Sequence, residues 1–205
     1  MKTICRGQKL PVLKNIKQGN SLIDDLSVAV ENAFKWEEEF KEVMQEGGFD
    51  VVIGNPPYIS VKELPKKDKE FYEGNYDFAI GQYDLYTIFI ERAYKLLKTE
   101  GYFGFIIPDA LLSRSNMATL RKFILENTTI KKLFVLTGVF EEQNVASVVL
   151  IFKKSVPSKT SIFDFIKSDE LNSDIKGEIK ILKASQNSFL SLPNFSYNLF
   201  YRKSN

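Results

Sequence analysis

Asn55-Pro56-Pro57-Tyr58 places two hydrogen-bond acceptors and one flat aromatic ring in a row. The Asn55 amide oxygen and the Pro56 carbonyl both accept, and the two prolines fix the backbone so that the acceptors stay aimed. Tyr58 offers a face for stacking on an aromatic substrate. Such a set suits chemistry at a planar amino group. Conjugation delocalises the nitrogen lone pair of such a group and makes it a poor nucleophile. Two acceptors drawing on its N–H bonds favour a more pyramidal nitrogen, whose lone pair attacks an electrophilic methyl. The competing reading is a strand terminator, because Asn and Pro are common turn formers.

Composition narrows the alternatives. The 205 residues contain no His and a single Cys, Cys5. Imidazole general bases, His-containing zinc sites, Cys-cluster metal sites and intrachain disulfides are excluded, and Cys5 near the terminus does not fit the nucleophile of cytosine-C5 methylation. Amino-group methylation needs neither residue type. The net charge of +2 does not mark a polybasic binder. Residues 21–50 carry nine acidic against two basic side chains, which reads as a solvated helix face. With no signal-peptide run and no long apolar stretch, the reading is a soluble, cytoplasmic protein without a membrane segment.

The elements that must position the tetrapeptide come next. Phe49-Asp50-Val51-Val52-Ile53-Gly54 reads as a buried strand of a parallel sheet, and ligands of open α/β sheets bind beyond the carboxyl ends of such strands. A helix is expected from an N-cap at Asp84, with Leu85, Ile88, Phe89, Ala93, Leu96 and Leu97 at helical spacing and Gly101 as its stop. Tyr102–Ile107 is a second buried strand, followed by a helix from about Ser115 to Asn127. Ile130–Leu136 and Ala146–Phe152 read as an antiparallel pair closing the sheet, joined by a loop over Thr137–Asn144. Short strand-like pieces at Ser161–Ile166 and Glu178–Leu182 follow a break at Ser155-Pro157-Ser158.

Together these residues resemble the TaqI-like adenine-N6 DNA methyltransferases, amino-group methyltransferases of the gamma class found in restriction-modification systems. Phe49 to Ile59 is similar to their motif IV. Asp84-Leu85-Tyr86 with Phe89 is similar to motif V, Gly101 to Pro108 to motif VI, and Gly138-Val139-Phe140 followed by Asn144 to Val149 to motif VIII. The resemblance covers roughly Ile16 to Phe165. It implies a Rossmann-like α/β sheet with an antiparallel last strand, S-adenosylmethionine as cofactor, and a flipped adenine of double-stranded DNA as substrate. Asn55 and Pro56 would hold the adenine amino group, Pro57 would stiffen the loop, and Tyr58 and Phe140 would wall the base. On local grounds alone Phe140 reads as a core aromatic starting a hairpin. Gly19-Asn20-Ser21-Leu22 stands where motif III often has Asp, so Asn20, Ser21 and Asn55 are the expected cofactor contacts, although a plain turn at Gly19-Asn20 explains that stretch as well.

None of the glycines forms a Gly-x-Gly pair, and too few residues precede Gly19 for a complete cofactor half. The expectation is a fragment inactive alone: a partial catalytic domain over 1–154, then over 155–205 a linker and the beginning of a truncated target-recognition region. Its partners would be double-stranded DNA and a separately encoded N-terminal half or specificity subunit. Methylation of a protein glutamine or of RNA, and a non-catalytic relic or assembly partner, are the alternatives.

Overall fold

The computed structural model describes residues 15–136, 146–168 and 180–197. Six strands form one sheet: β1 (Phe49–Gly54), β2 (Leu97–Pro108), β3 (Thr129–Leu136), β4 (Ser147–Lys153), β5 (Ile162–Ser168) and β6 (Lys180–Ser185). Their order is β1-β2-β4-β3-β5-β6, with β1 parallel to β2, β3 parallel to β5, and β4 antiparallel to both of its neighbours. Helices α1 (Leu26–Ala29), α2 (Trp36–Glu39), α3 (Lys41–Gln45), α4 (Lys66–Asn75), α5 (Leu85–Leu96), α6 (Ala110–Ser113) and α7 (Ala118–Asn127) surround it. The α/β sheet with its antiparallel strand is the architecture expected from the sequence. The acidic side chains Glu37, Glu38, Glu39, Glu42 and Glu46 are exposed on α2, α3 and the turn after them, as the charge pattern requires.

Alternation builds the main core. Phe103, Phe105 and Ile107 of β2 and Val148, Leu150 and Phe152 of β4 are buried together with Tyr86, Ile90 and Ala93 of α5 and Leu120, Ile124 and Leu125 of α7. Phe103 and Phe152 are register partners whose rings stack at 4.2 Å. A second cluster packs Leu22 and Ile23 against Val61, Tyr72, Tyr76, Ala79, Tyr83, Leu85 and Ile88. It joins the loop before α1 to α4 and α5.

Three local readings change. Gly101 is not the stop of α5, which ends at Leu96 and runs straight into β2. It lies inside the strand after Glu100 (φ 69°), and a Cβ on it would sit 2.9 Å from the Lys98 carbonyl and 3.0 Å from that of Phe49. Only a hydrogen fits between those carbonyls. Asp84 does stand before α5, but its carboxylate caps no helix N–H; its backbone carbonyl accepts from Thr87 instead. Finally, β1 is not buried on both faces. Among the described residues only β2 pairs with it, and Val51 and Ile53, which share one face, are 55% and 78% exposed.

Beyond residue 154, where the sequence suggests a boundary, the described residues add to the same sheet. Strand β5 pairs with β3 and β6 with β5, while Phe163, Phe165, Ala184, Phe189 and Tyr197 join the main core. Two buried polar side chains tie this part down. Gln186 accepts from the Ile130 N–H (3.0 Å) and donates to the Leu125 and Thr128 carbonyls (2.9 and 2.6 Å). Arg121, fully buried, donates to the carbonyls of Leu111, Arg114 and Asn194 at 2.7–3.1 Å.

Candidate active site at the end of β1

Strand β1 stops at Gly54 because Pro56 and Pro57 offer no N–H to a ladder. Gly54 lets the Phe105 ring pack close: a Cβ on it would meet that ring at 3.0 Å, and the ring would have to shift by a few tenths of an ångström. The strand therefore delivers Asn55 to the carboxyl edge of the sheet with its side chain exposed, followed by buried Pro56 and exposed Pro57. Among the described residues nothing occupies the Asn55 amide, so both its acceptor and its donors remain open to a ligand.

On one side of this loop lies a cleft of about 290 Å³. Gly54, Asn55, Pro56 and Pro57 form its rim, Ser21 comes from the loop before α1, and Trp36, Phe89 and Phe105 supply aromatic walls. Among the described residues Arg92 is the one charged group that lines it. Of the expected cofactor contacts, Ser21 and Asn55 thus meet at one cleft. Asn20 does not line it. Its side-chain oxygen turns back to accept from the Leu22 N–H at 3.1 Å, closing the local turn that its sequence also allows.

Tyr58 points elsewhere. Its ring meets Tyr86 of α5 edge-on, with centroids 6.4 Å apart and planes at 76°. Its hydroxyl is buried close to that of Ser147 at the start of β4, without a well-formed hydrogen bond, and burial pushes it above the ordinary phenol range while Ser147 pulls the other way. The tetrapeptide therefore faces two ways, with the cleft on one side and Tyr58 with the root of β4 on the other. Phe140, the other expected wall of the base, lies outside the described residues. Asp84, at the head of α5, has its carboxyl pushed up by burial, opposed by the Arg114 guanidinium.

Sequence reasoning did not single out Trp36, Arg92 or Phe105 as site residues. Arg92 carried a signal, a charge set at i+3 from Phe89 within an otherwise apolar helix face. Trp36 carried none, since α2 and its acidic neighbours read simply as a solvated surface.

Comparison with known proteins identifies the family. The Eco57I restriction-modification methylase family matches residues 5–140. The type II restriction enzyme and methyltransferase RM.Eco57I of Escherichia coli is 33% identical over 77% of this chain, and the type II methyltransferase M.BstVI of Geobacillus stearothermophilus is 30% identical over 71%. The matched parts are 16% and 26% of those two proteins, so the chain spans about a sixth to a quarter of their length. The crystal structure of the type IIG restriction endonuclease BpuSI shares the fold, with a TM-score of 0.58 at 15% identity over 76% of this chain and 21% of that one. With the family match extending over more than half of its residues, the chain belongs to the Eco57I restriction-modification methylases.

Proposed function

We propose that the loop Asn55–Tyr58 is the amino-group site of an adenine-N6 DNA methyltransferase acting in restriction and modification. One observation carries the reading: the tetrapeptide divides an aromatic-walled cleft from Tyr58, so that donor and acceptor sides meet at Asn55. The cleft suits the adenine end of S-adenosylmethionine. It is flat-walled and apolar, and its volume of about 290 Å³ stands at the small end for ligand pockets, so it takes a nucleobase-sized part rather than the whole cofactor. When bound, S-adenosylmethionine supplies an electrophilic methyl group.

This chain's own residues prepare the nucleophile. The Asn55 side-chain oxygen and the Pro56 carbonyl accept from the two N–H bonds of the adenine amino group and raise the availability of its lone pair. Tyr58 stacks on the base, replacing part of the stacking lost when the base leaves the duplex. As the nitrogen gains a methyl it sheds a proton, and the exposed position of Asn55 gives that proton direct access to water. Double-stranded DNA is the partner, and the cytoplasm the compartment. Among the described residues no helix is long and apolar enough to cross a membrane.

The test is labelled-methyl transfer to duplex DNA by the protein that carries this chain. Asn55→Ala should lower the rate at least ~100-fold, about 2.7 kcal/mol of barrier, while DNA binding, governed mainly by phosphate contacts, stays within a few-fold. A rate near wild type would remove Asn55 from the chemistry. Label found in protein or RNA, and none in DNA, would favour a different acceptor.

A further inference from the structure

The loop that brings Ser21 to the cleft is held by side chains distant in sequence. Trp36 Nε1 donates to the Ser21 carbonyl at 3.0 Å, and the Tyr76 hydroxyl donates to the Leu22 carbonyl at 2.6 Å. The same hydroxyl accepts from Arg92 Nε at 2.9 Å and Nη2 at 2.7 Å. A phenol has one proton to give and two lone pairs to receive with, so these three bonds use its whole capacity. Burial pushes Tyr76 up to about 12, which keeps that proton in place at neutral pH.

Arg92 has no ion-pair partner among the described residues, although it is only partly exposed. A guanidinium there gives up hydration that an apolar residue in the same stripe of α5 would not. What it gains is a two-pronged hold on Tyr76, a geometry that lysine cannot copy. The neighbouring Glu91 grips the same segment, accepting from the Asp77 and Phe78 N–H groups at 3.0 Å each. Two successive residues of α5 thus fix residues 76–78, and Tyr76 passes that fixation to Leu22.

We propose that Arg92 is a positioning residue that, through Tyr76 and the Leu22 carbonyl, sets the Asn20–Leu22 loop against the cleft and thereby governs affinity for the adenine end of the cofactor. The inference rests on the reading of the cleft given above. Arg92 does its work at a distance from the reacting atoms, so its loss is felt in binding and not in the chemical step.

Two readouts test it. In the 205-residue chain Trp36 is the only tryptophan, and its indole is bonded to the loop itself. Tyr76→Phe and Arg92→Leu should each raise acrylamide quenching of Trp36 about two-fold without ligand, and Arg92→Lys should fall between them and wild type. In methyl transfer by the protein that carries the chain, Tyr76→Phe and Arg92→Leu should raise KM for S-adenosylmethionine about ten-fold and leave kcat and KM for DNA within two-fold. Unchanged quenching in both variants overturns the clamp. Increased quenching with unchanged KM overturns its role in cofactor affinity. An effect of Arg92→Leu on KM without one of Tyr76→Phe would mean that Arg92 touches the ligand directly, which also overturns it. Absence of methyl transfer by the wild type would fell the underlying reading, and is told apart because the quenching needs no activity.

Discussion

Across β2 and β4, Phe103 lies flat on Phe152 and the neighbouring positions repeat the contact in register, each side chain replaceable in kind by another apolar one. Beneath the Asn20–Leu22 loop the second cluster is built otherwise. Tyr72, Tyr76 and Tyr83 bury phenol rings with polar ends: the Tyr76 hydroxyl makes three hydrogen bonds, to Leu22 and Arg92, and the buried Tyr83 hydroxyl has none among the described residues. Between the buried faces of β2 and β4 the side-chain contact is apolar area alone, whereas in the site-side cluster apolar packing is joined by a few directed bonds between residues as much as 54 positions apart. Loss of one large apolar side chain in the first region lowers the stability of the whole sheet. Loss of the Tyr76 hydroxyl in the second should loosen the Asn20–Leu22 loop and leave the sheet intact.

That contrast can be broken at several points. Phe103→Ala should cost about 3–5 kcal/mol in urea unfolding, because the cavity opens between Phe105 and Phe152. A loss under 1 kcal/mol would mean that the sheet core is not the principal store of stability. Gln186→Ala should cost about 3 kcal/mol by leaving three buried backbone groups unpaired. If it proved neutral, the strands after residue 154 would not be integral to the sheet.

Alkaline titration sharpens the other side. The Tyr76 phenol is raised to about 12 from an ordinary 10, chiefly by burial. The folded state therefore holds its proton more tightly, and the resulting stability, roughly 2–3 kcal/mol, is complete below pH 10 and lost as pH rises to 12. Comparing wild type with Tyr76→Phe across that window isolates the contribution; parallel curves would refute it. The smallest effect belongs to Lys66→Ala, outside both clusters. Its ion pair with Glu70 at 3.6 Å is mostly exposed, and the urea midpoint should not move measurably.

The strands and the tetrapeptide were legible because each is written locally. Phe49–Gly54 is an apolar run with a proline stop, and Val148–Phe152 is an unbroken apolar run between Ser147 and Lys153. The extent of the sheet was not legible, since the break at Pro157 resembles a linker and only long-range pairing joins β5 to β3. Gly101 misled for a related reason: a glycine after a helical stripe looks like a stop, and its true constraint comes from the Lys98 carbonyl together with those of Phe49 and Asp50 on another strand. Within the candidate site, Asn55 stands out from its own tetrapeptide and Ser21 only through the family resemblance, whereas Tyr76 and Arg92 act on a carbonyl far away in the chain, a relation no periodicity records.

Arg121 has a consequence for how this fold tolerates sequence drift. Every acceptor it uses is a main-chain carbonyl, belonging to Leu111, Arg114 or Asn194. A carbonyl is supplied by any amino acid, so these contacts ask nothing of the side chains at those three positions, only that the backbone keep its path. The demand falls wholly on one codon. Relatives can exchange the residues around the end of β2 and along the 194 turn freely as far as this contact is concerned. Loss of the guanidinium at 121 has no simple compensating substitution, because among the described residues its hydrogen bonds all go to main-chain carbonyls.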